Sequence, residues 1–279
     1  MKIGRAVRVL RDPLPWLAAA LVALAAGMTS LRPLFAILFP DLQRPVYDQD
    51  SFLALLADHL WLVAVSSGLA VAFGVAAGLF VTRPAGRDVR FLFDTLFAAS
   101  QTIPPVAVLA LMVPILGYDA RPAVIALMLY GLLPVAQNTV AGLESVPAAL
   151  TQAARGMGMT GSQSLLHLEL PLAAGAIVAG IRTCVIVNTG TAAIASTAGV
   201  KTLGLPIIVG LAGGNIAYVV QGAVLVGLLA VVLDLGFDRL ELLCRADQRS
   251  AIRQCRQPHR KRRKTLRFSA LRQGDGSGP

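Results

Sequence analysis

Six long apolar blocks in series, at residues 14–31, 60–82, 91–116, 122–143, 172–198 and 217–237, constrain this 279-residue chain more than any other feature. About 20 consecutive apolar residues in a helix cross a bilayer. One such block could also be a helix buried in a soluble protein, but six in a row do not suit that reading. Composition agrees. The chain is 56% hydrophobic and 14% charged, where a soluble domain carries about a quarter charged residues. The predicted fold is therefore all-α: a polytopic membrane helix bundle with about six transmembrane helices.

Basic residues set the expected orientation. If the N-terminus is inside, the inside segments hold twenty Lys and Arg and the outside segments four, with Arg182 left near a helix start. That asymmetry follows the positive-inside rule and predicts cytoplasmic N- and C-termini in a multi-pass inner-membrane protein. The net charge of +10 then reflects topology, and no nucleic-acid partner is expected. Lys2, Arg5, Arg8 and Arg11 precede the first block like the basic end of a signal peptide. The block is long for a signal core and Arg32-Pro33 follows it, so an uncleaved signal-anchor helix is predicted. Three parts result: 1–51, this helix and an outside loop; 52–237, the core; and 238–279, a basic cytoplasmic tail.

Cys184, Cys244 and Cys255 have no paired spacing, and His59, His167 and His259 are scattered. Neither a disulfide nor a metal site is predicted, and no cofactor. Pro104, Pro105, Pro114 and Pro134 interrupt the middle blocks. Each removes a backbone donor, which a membrane tolerates where neighbours or a cavity satisfy the freed carbonyls. Either kinks for packing or a pathway of bent helices fits. Gly68, Gly74, Gly78, Gly175 and Gly180 would let helices approach closely.

A polar island at 144–171 separates the fourth and fifth blocks. Pro147 suits the start of a short helix, and Gly156 and Gly158 suit its end. Thr160 or Ser162 can cap a second short helix through Leu168, and Pro171 is expected to stop it and open the next membrane segment. The island reads Gln152-Ala153-Ala154, three residues, Gly158, nine residues, Leu168, one residue, Leu170-Pro171. This resembles the coupling-loop signature of binding-protein-dependent ABC importer permeases, Glu-Ala-Ala-x3-Gly-x9-Ile-x-Leu-Pro. The departures are Gln152 for Glu and Leu168 for Ile. Gln101-Thr102-Ile103-Pro104, Leu129 to Pro134, Asn138-Thr139, Ala153 to Thr160, Ala179 to Thr183 and Leu203-Gly204 look like the osmoprotectant branch of that family. Many relatives have Gly-Gly-Leu-Gly where this chain has Val200-Lys201-Thr202-Leu203-Gly204.

The resemblance implies a transport subunit and not an enzyme. Its loop would dock on a cytoplasmic ABC ATPase dimer, and an extracytoplasmic substrate-binding protein would deliver glycine betaine, choline, carnitine or a similar solute. A second permease copy or a paralogue would complete the pathway. No G-x-x-x-x-G-K-[ST] phosphate loop occurs in the chain. An ABC permease for an amino acid or sulfonate would share the loop. An ion-coupled secondary transporter would need intramembrane carboxylates, and only Asp94 and Asp234 lie well inside the spans.

The fifth block is the most polar. Gly180, Cys184, Asn188 and Thr191 share one helical stripe. Polar groups there need protein or water beside them. Asn188 and Thr191, with Pro104 and Pro134, are candidate pathway residues. Interhelical hydrogen bonding at a dimer contact explains the stripe as well. Arg182 is expected to snorkel to the interface. In the tail, Arg245, Arg249, Arg253, Arg256 and Arg260 would align along a helix facing membrane lipid. A solvated disordered tail fits the same residues.

Overall fold

The computed structural model describes residues 13–256. Lys2, Arg5, Arg8, Arg11 and Arg260 lie outside the described residues. Pro13–Gly27 (α1) passes through a 3-10 turn into Arg32–Leu38 (α2). Phe52–Val81 (α3) follows an irregular segment. Arg90–Thr102 (α4) and Pro105–Leu116 (α5) are separated at Ile103-Pro104. Ala120–Glu144 (α6), Ala148–Gly156 (α7), Gly161–Ser164 (α8), Leu170–Thr191 (α9), Leu205–Ala212 (α10) and Ile216–Arg256 (α11) complete the chain.

Among the described residues, five helical runs are long and apolar enough to span a membrane: Pro13–Leu38, Phe52–Val81, Ala120–Glu144, Gly161–Ala198 and Ile216–Leu242. The third apolar block differs from the expectation of one helix. Ile103 is extended, at φ −84° and ψ 118°, because a proline disfavours helical geometry in the residue before it. Pro105 then opens α5, where a missing N–H is harmless. At 13 and 12 residues, α4 and α5 rise about 20 and 18 Å, short of the ~30 Å hydrocarbon core. The eight-residue α10 falls between the blocks and is too short to register by a 20-residue criterion.

Small residues build the centre, where α6 packs between α3 and α9. A Cβ on Gly74 would lie 2.9 Å from Val135 Cβ, and one on Gly78 would lie 2.7 Å from Thr139 Cβ. Towards α9, a Cβ on Gly142 would lie 2.9 Å from Ala176 Cβ, and one on Gly180 would lie 2.7 Å from Asn138 Cβ. Gly131 is the junction of all three helices: a Cβ there would meet Cys184 Sγ at 2.5 Å, Asn188 Nδ2 at 3.0 Å and Ala70 Cβ at 3.3 Å. Gly68, by contrast, faces open space. Close backbone approach maximises dispersion contacts, the main attraction between helices in lipid.

A second cluster lies at the opposite end from the 144–171 loop. The fully buried Tyr47 ring meets Phe52 and Tyr218 edge-on, at centroid distances of 5.8 and 5.5 Å. Gln221 of α11 accepts from Tyr47 N (3.1 Å) and donates to the Pro45 carbonyl (2.7 Å). Asn215 donates to the Arg44 carbonyl (2.8 Å). The 39–51 segment is thus pinned to α11 through its backbone, which satisfies peptide groups that no helix or sheet serves. Lys201 Nζ donates to Asp50 (2.7 Å), as does the Tyr47 hydroxyl (3.1 Å).

Candidate functional site

The 144–171 loop is built much as its residues suggest, with one difference. Pro147 is the N-cap of α7. The helix closes in a full Schellman motif: Met159 N donates to the Ala154 carbonyl (3.1 Å) and Gly158 N to the Arg155 carbonyl (2.9 Å). That motif requires a left-handed residue after the C-cap, and Gly158 supplies φ +85°. Gly156, also suggested as a terminator, has an ordinary φ and ends the helix only by position. Thr160, not Ser162, caps α8. Its hydroxyl accepts from Gln163 N (3.3 Å) while Gln163 Oε1 accepts from Thr160 N (2.9 Å), a reciprocal capping box.

Pro171 does not stop the second helix. From Gly161 the chain stays helical through Ala198, passing a π-helical segment at Leu165–Glu169. Leu170 N reaches back five residues to the Leu165 carbonyl. The wider turn lets the helix continue where the Pro171 ring would otherwise clash one turn back. Gln152, Ala153, Gly158 and Pro171 are exposed, Leu168 and Leu170 half-buried, and Ala154 buried. The signature residues therefore divide into a face open to a partner and a closure that shapes it.

Two ion pairs stand at the roots of the loop. Glu169, at its exit, accepts from Arg83 at 2.6 Å and from Ser164 at 3.0 Å. Glu144, at its entry, is paired with Arg90, whose Nη2 donates to Oε2 at 3.1 Å. The Arg90–Glu144 pair is exposed, and a pair of that kind contributes little to stability, about 0–1 kcal/mol.

The candidate pathway residues differ in burial. Asn188 is fully buried and donates to Ser67 of α3 at 3.0 Å, while its Oδ1 has no protein partner among the described residues. Beside it, His59 Nε2 donates to the Thr189 carbonyl at 3.0 Å. Pro134 is buried where α6 meets α9, its carbonyl accepting from Asn138 at 2.8 Å. Thr191 is half-buried at the end of α9, and Pro104 is exposed at the α4–α5 break. A groove lined by Val106, Leu109, Val113, Tyr118 and Thr197 runs along α5.

Arg182 reaches across to α11. It is held by Asp234 (2.7 Å), Asp238 (3.0 Å) and Glu241 (3.5 Å), three carboxylates on one stripe of α11. Asp234 is thereby neutralised by a partner helix. Spacings of four and three in an apolar helix were the signal for this contact. No cluster suited to a metal occurs among the described residues.

A family model described as the binding-protein-dependent transport system inner membrane component matches residues 70–243. The chain belongs to that family. This component of a binding-protein-dependent system works with a substrate-binding protein and an ATPase, and it spans the inner membrane several times. The chain is 40% identical over 205 residues to the osmoprotectant import permease protein OsmW of Salmonella typhimurium, covering 70% of this chain and 93% of that one. It is 36% identical over 180 residues to the glycine betaine/carnitine/choline transport system permease protein OpuCB of Bacillus subtilis, with 63% and 81% covered. In fold it is similar to the MetNI methionine ABC transporter in an inward-facing crystal form, with a TM-score of 0.62 at 22% identity over 71% of this chain and 99% of that one. The helices α1 and α2 and the pinned 39–51 segment precede the residues matched to the family.

Proposed function

We propose that this chain forms half of the membrane pathway of an ATP-driven importer for an osmoprotectant such as glycine betaine, choline or carnitine. The observation that carries this reading is the 40% identity, across 70% of the chain, to a protein named as an osmoprotectant import permease. The 144–171 loop lies on the cytoplasmic side with both termini, which the twenty-to-four split of basic residues supports. There the exposed face of Gln152, Ala153 and Gly158 docks on one of two ATPase copies. A second permease, identical or paralogous, pairs with this one. Selectivity for a quaternary ammonium resides mainly in the binding protein, where an aromatic cage can meet the cation. On this reading Pro104 and Thr191 belong to the moving wall of the pathway, while Asn188 and Pro134 form the joint behind it.

The test is uptake of radiolabelled glycine betaine by proteoliposomes holding the permease, its ATPase and its binding protein. Uptake should require ATP and be displaced by choline or carnitine, not by amino acids. A membrane-impermeant thiol reagent should reach Gln152→Cys only from the ATPase side. Uptake of an amino acid or sulfonate in place of these compounds would overturn the cargo. Labelling from the binding-protein side would overturn the orientation.

A further inference from the structure

The linker joining α3 to α4 crosses both roots of the 144–171 loop. Arg83 stands at its start and Arg90 at its end. Glu144 closes α6 where the loop begins, and Glu169 lies in the π segment where the loop ends. Arg83 pairs with Glu169, and Arg90 pairs with Glu144. The four charged side chains, with Val81, Thr82 and Leu143, rim a cleft of about 330 Å³.

The linker between the two arginines is itself shaped. It forms a 3-10 helix, Pro84–Val89. Gly86 N donates to the Arg83 carbonyl (2.9 Å), and Arg83 N to the Phe80 carbonyl (3.1 Å). Gly86 is buried so tightly on the end of α3 that a Cβ there would run into the Phe80 carbonyl. Beyond it, Phe80 of α3 and Phe93 of α4 meet at a ring distance of 6.1 Å. Glu169 is also the better buried member of its pair, with 14% of its side chain exposed against 33% for Arg83, and Ser164 holds its second oxygen. A compact linker whose ends grip opposite roots of one loop is a strap.

We propose that Arg83 and Arg90 are positioning residues for energy coupling. The strap holds the entry and exit of the loop at fixed spacing, so that loop displacement moves the ends of α3, α4, α6 and α9 as one body. The role in transport rests on the function proposed above; the clamping itself does not. Two measurements therefore keep the ideas apart.

The first uses the full permease in lipid vesicles, with its native cysteines replaced and nitroxide labels at Ala85→Cys and Ala149→Cys. Glu169→Arg or Glu144→Arg should broaden the distance distribution between strap and α7. The charge-swapped pairs, Arg83→Glu with Glu169→Arg and Arg90→Glu with Glu144→Arg, should narrow it again. Arg83→Gln serves where a reversal prevents insertion. An unchanged width in the single variants, or a double swap as broad as the singles, overturns the strap. The second measures ATP hydrolysed per glycine betaine transported by the complete complex. The single reversals should raise that ratio about threefold or more at unchanged permease content, with recovery in the double swaps. A wild-type complex without ATP-driven uptake sinks the functional reading alone. A wild type that transports while single reversals keep its ratio sinks the coupling role of the strap.

Discussion

Gly158 shows how a single residue type can answer to backbone geometry. A Cβ there would meet nothing within 4 Å, so its requirement is conformational: φ +85° within the Schellman closure. Left-handed geometry disfavours other residues by about 1–2 kcal/mol, and β-branched ones more. Gly158→Val should therefore lower ATP-linked uptake roughly five- to thirtyfold while the protein still inserts. Gly156→Ala, also in open space but at ordinary φ, should leave uptake within about twofold and favour α7 slightly. Equal effects in the uptake assay would contradict this division. The signature singles out Gly158, but turn chemistry alone offers both glycines and cannot rank them, because the turn is defined by which carbonyls the next amides reach. The partners of Arg182 were hidden for a related reason. Asp234 and Asp238 sit about fifty residues away, and only the packing of α9 on α11 brings them together.

Helices were the most legible level, since length and apolarity alone mark them. The boundaries that failed are those where proline acts through its neighbours. At Ile103-Pro104 a run that reads as one helix is two, and at Pro171 a run that reads as two is one. In the first case a second proline at once restarts the chain as α5. In the second, a π segment absorbs the misfit. The packing of α3, α6 and α9 was legible as glycines, but their partners were not. Gly131 tests this packing. Gly131→Ala would force a Cβ against Cys184 Sγ and should destabilise the permease by about 1–3 kcal/mol. Adding Cys184→Ala removes the nearest obstacle. The double variant should therefore unfold in detergent at a higher temperature than Gly131→Ala alone. Simple additivity of the two changes would mean that the clash is relieved elsewhere.

In the whole molecule, the first helices pack on α3 and α11 through apolar residues such as Leu21, Ala25 and Met28, while the 39–51 segment is bound by polar contacts that no periodicity announces. Hydrogen bonding to Lys201 holds the Asp50 carboxyl below its ordinary range; partial burial opposes this and the Tyr47 hydroxyl adds to it. Asp50 in turn raises the Lys201 ammonium. A depressed carboxylate contributes stability above its unfolded value of 3.8, lost as pH falls through the folded one. A raised lysine contributes below 10.5, lost as pH rises past its folded value. The clamp should thus be insensitive to pH between these limits. Thermal unfolding of Asp50→Asn should lie below wild type throughout that window and converge with it only beyond its limits, in acid or in strong base. A gap that closes near neutrality would point to a different titrating group.

The run from Gly161 to Ala198 has a further consequence. Its 38 helical residues amount to a rod of about 57 Å, rooted in the capping box and carrying Asn188 about three-quarters of the way along. Past its far tip, Thr202 hydrogen bonds back to Ser196. It passes a π segment at Leu165–Glu169 and a 3-10 segment at Ala192–Ala198 while staying helical. A tilt imposed where the ATPase would press must swing the opposite tip, much as an oar turns in its lock, with the Ser67–Asn188 contact close to the fulcrum.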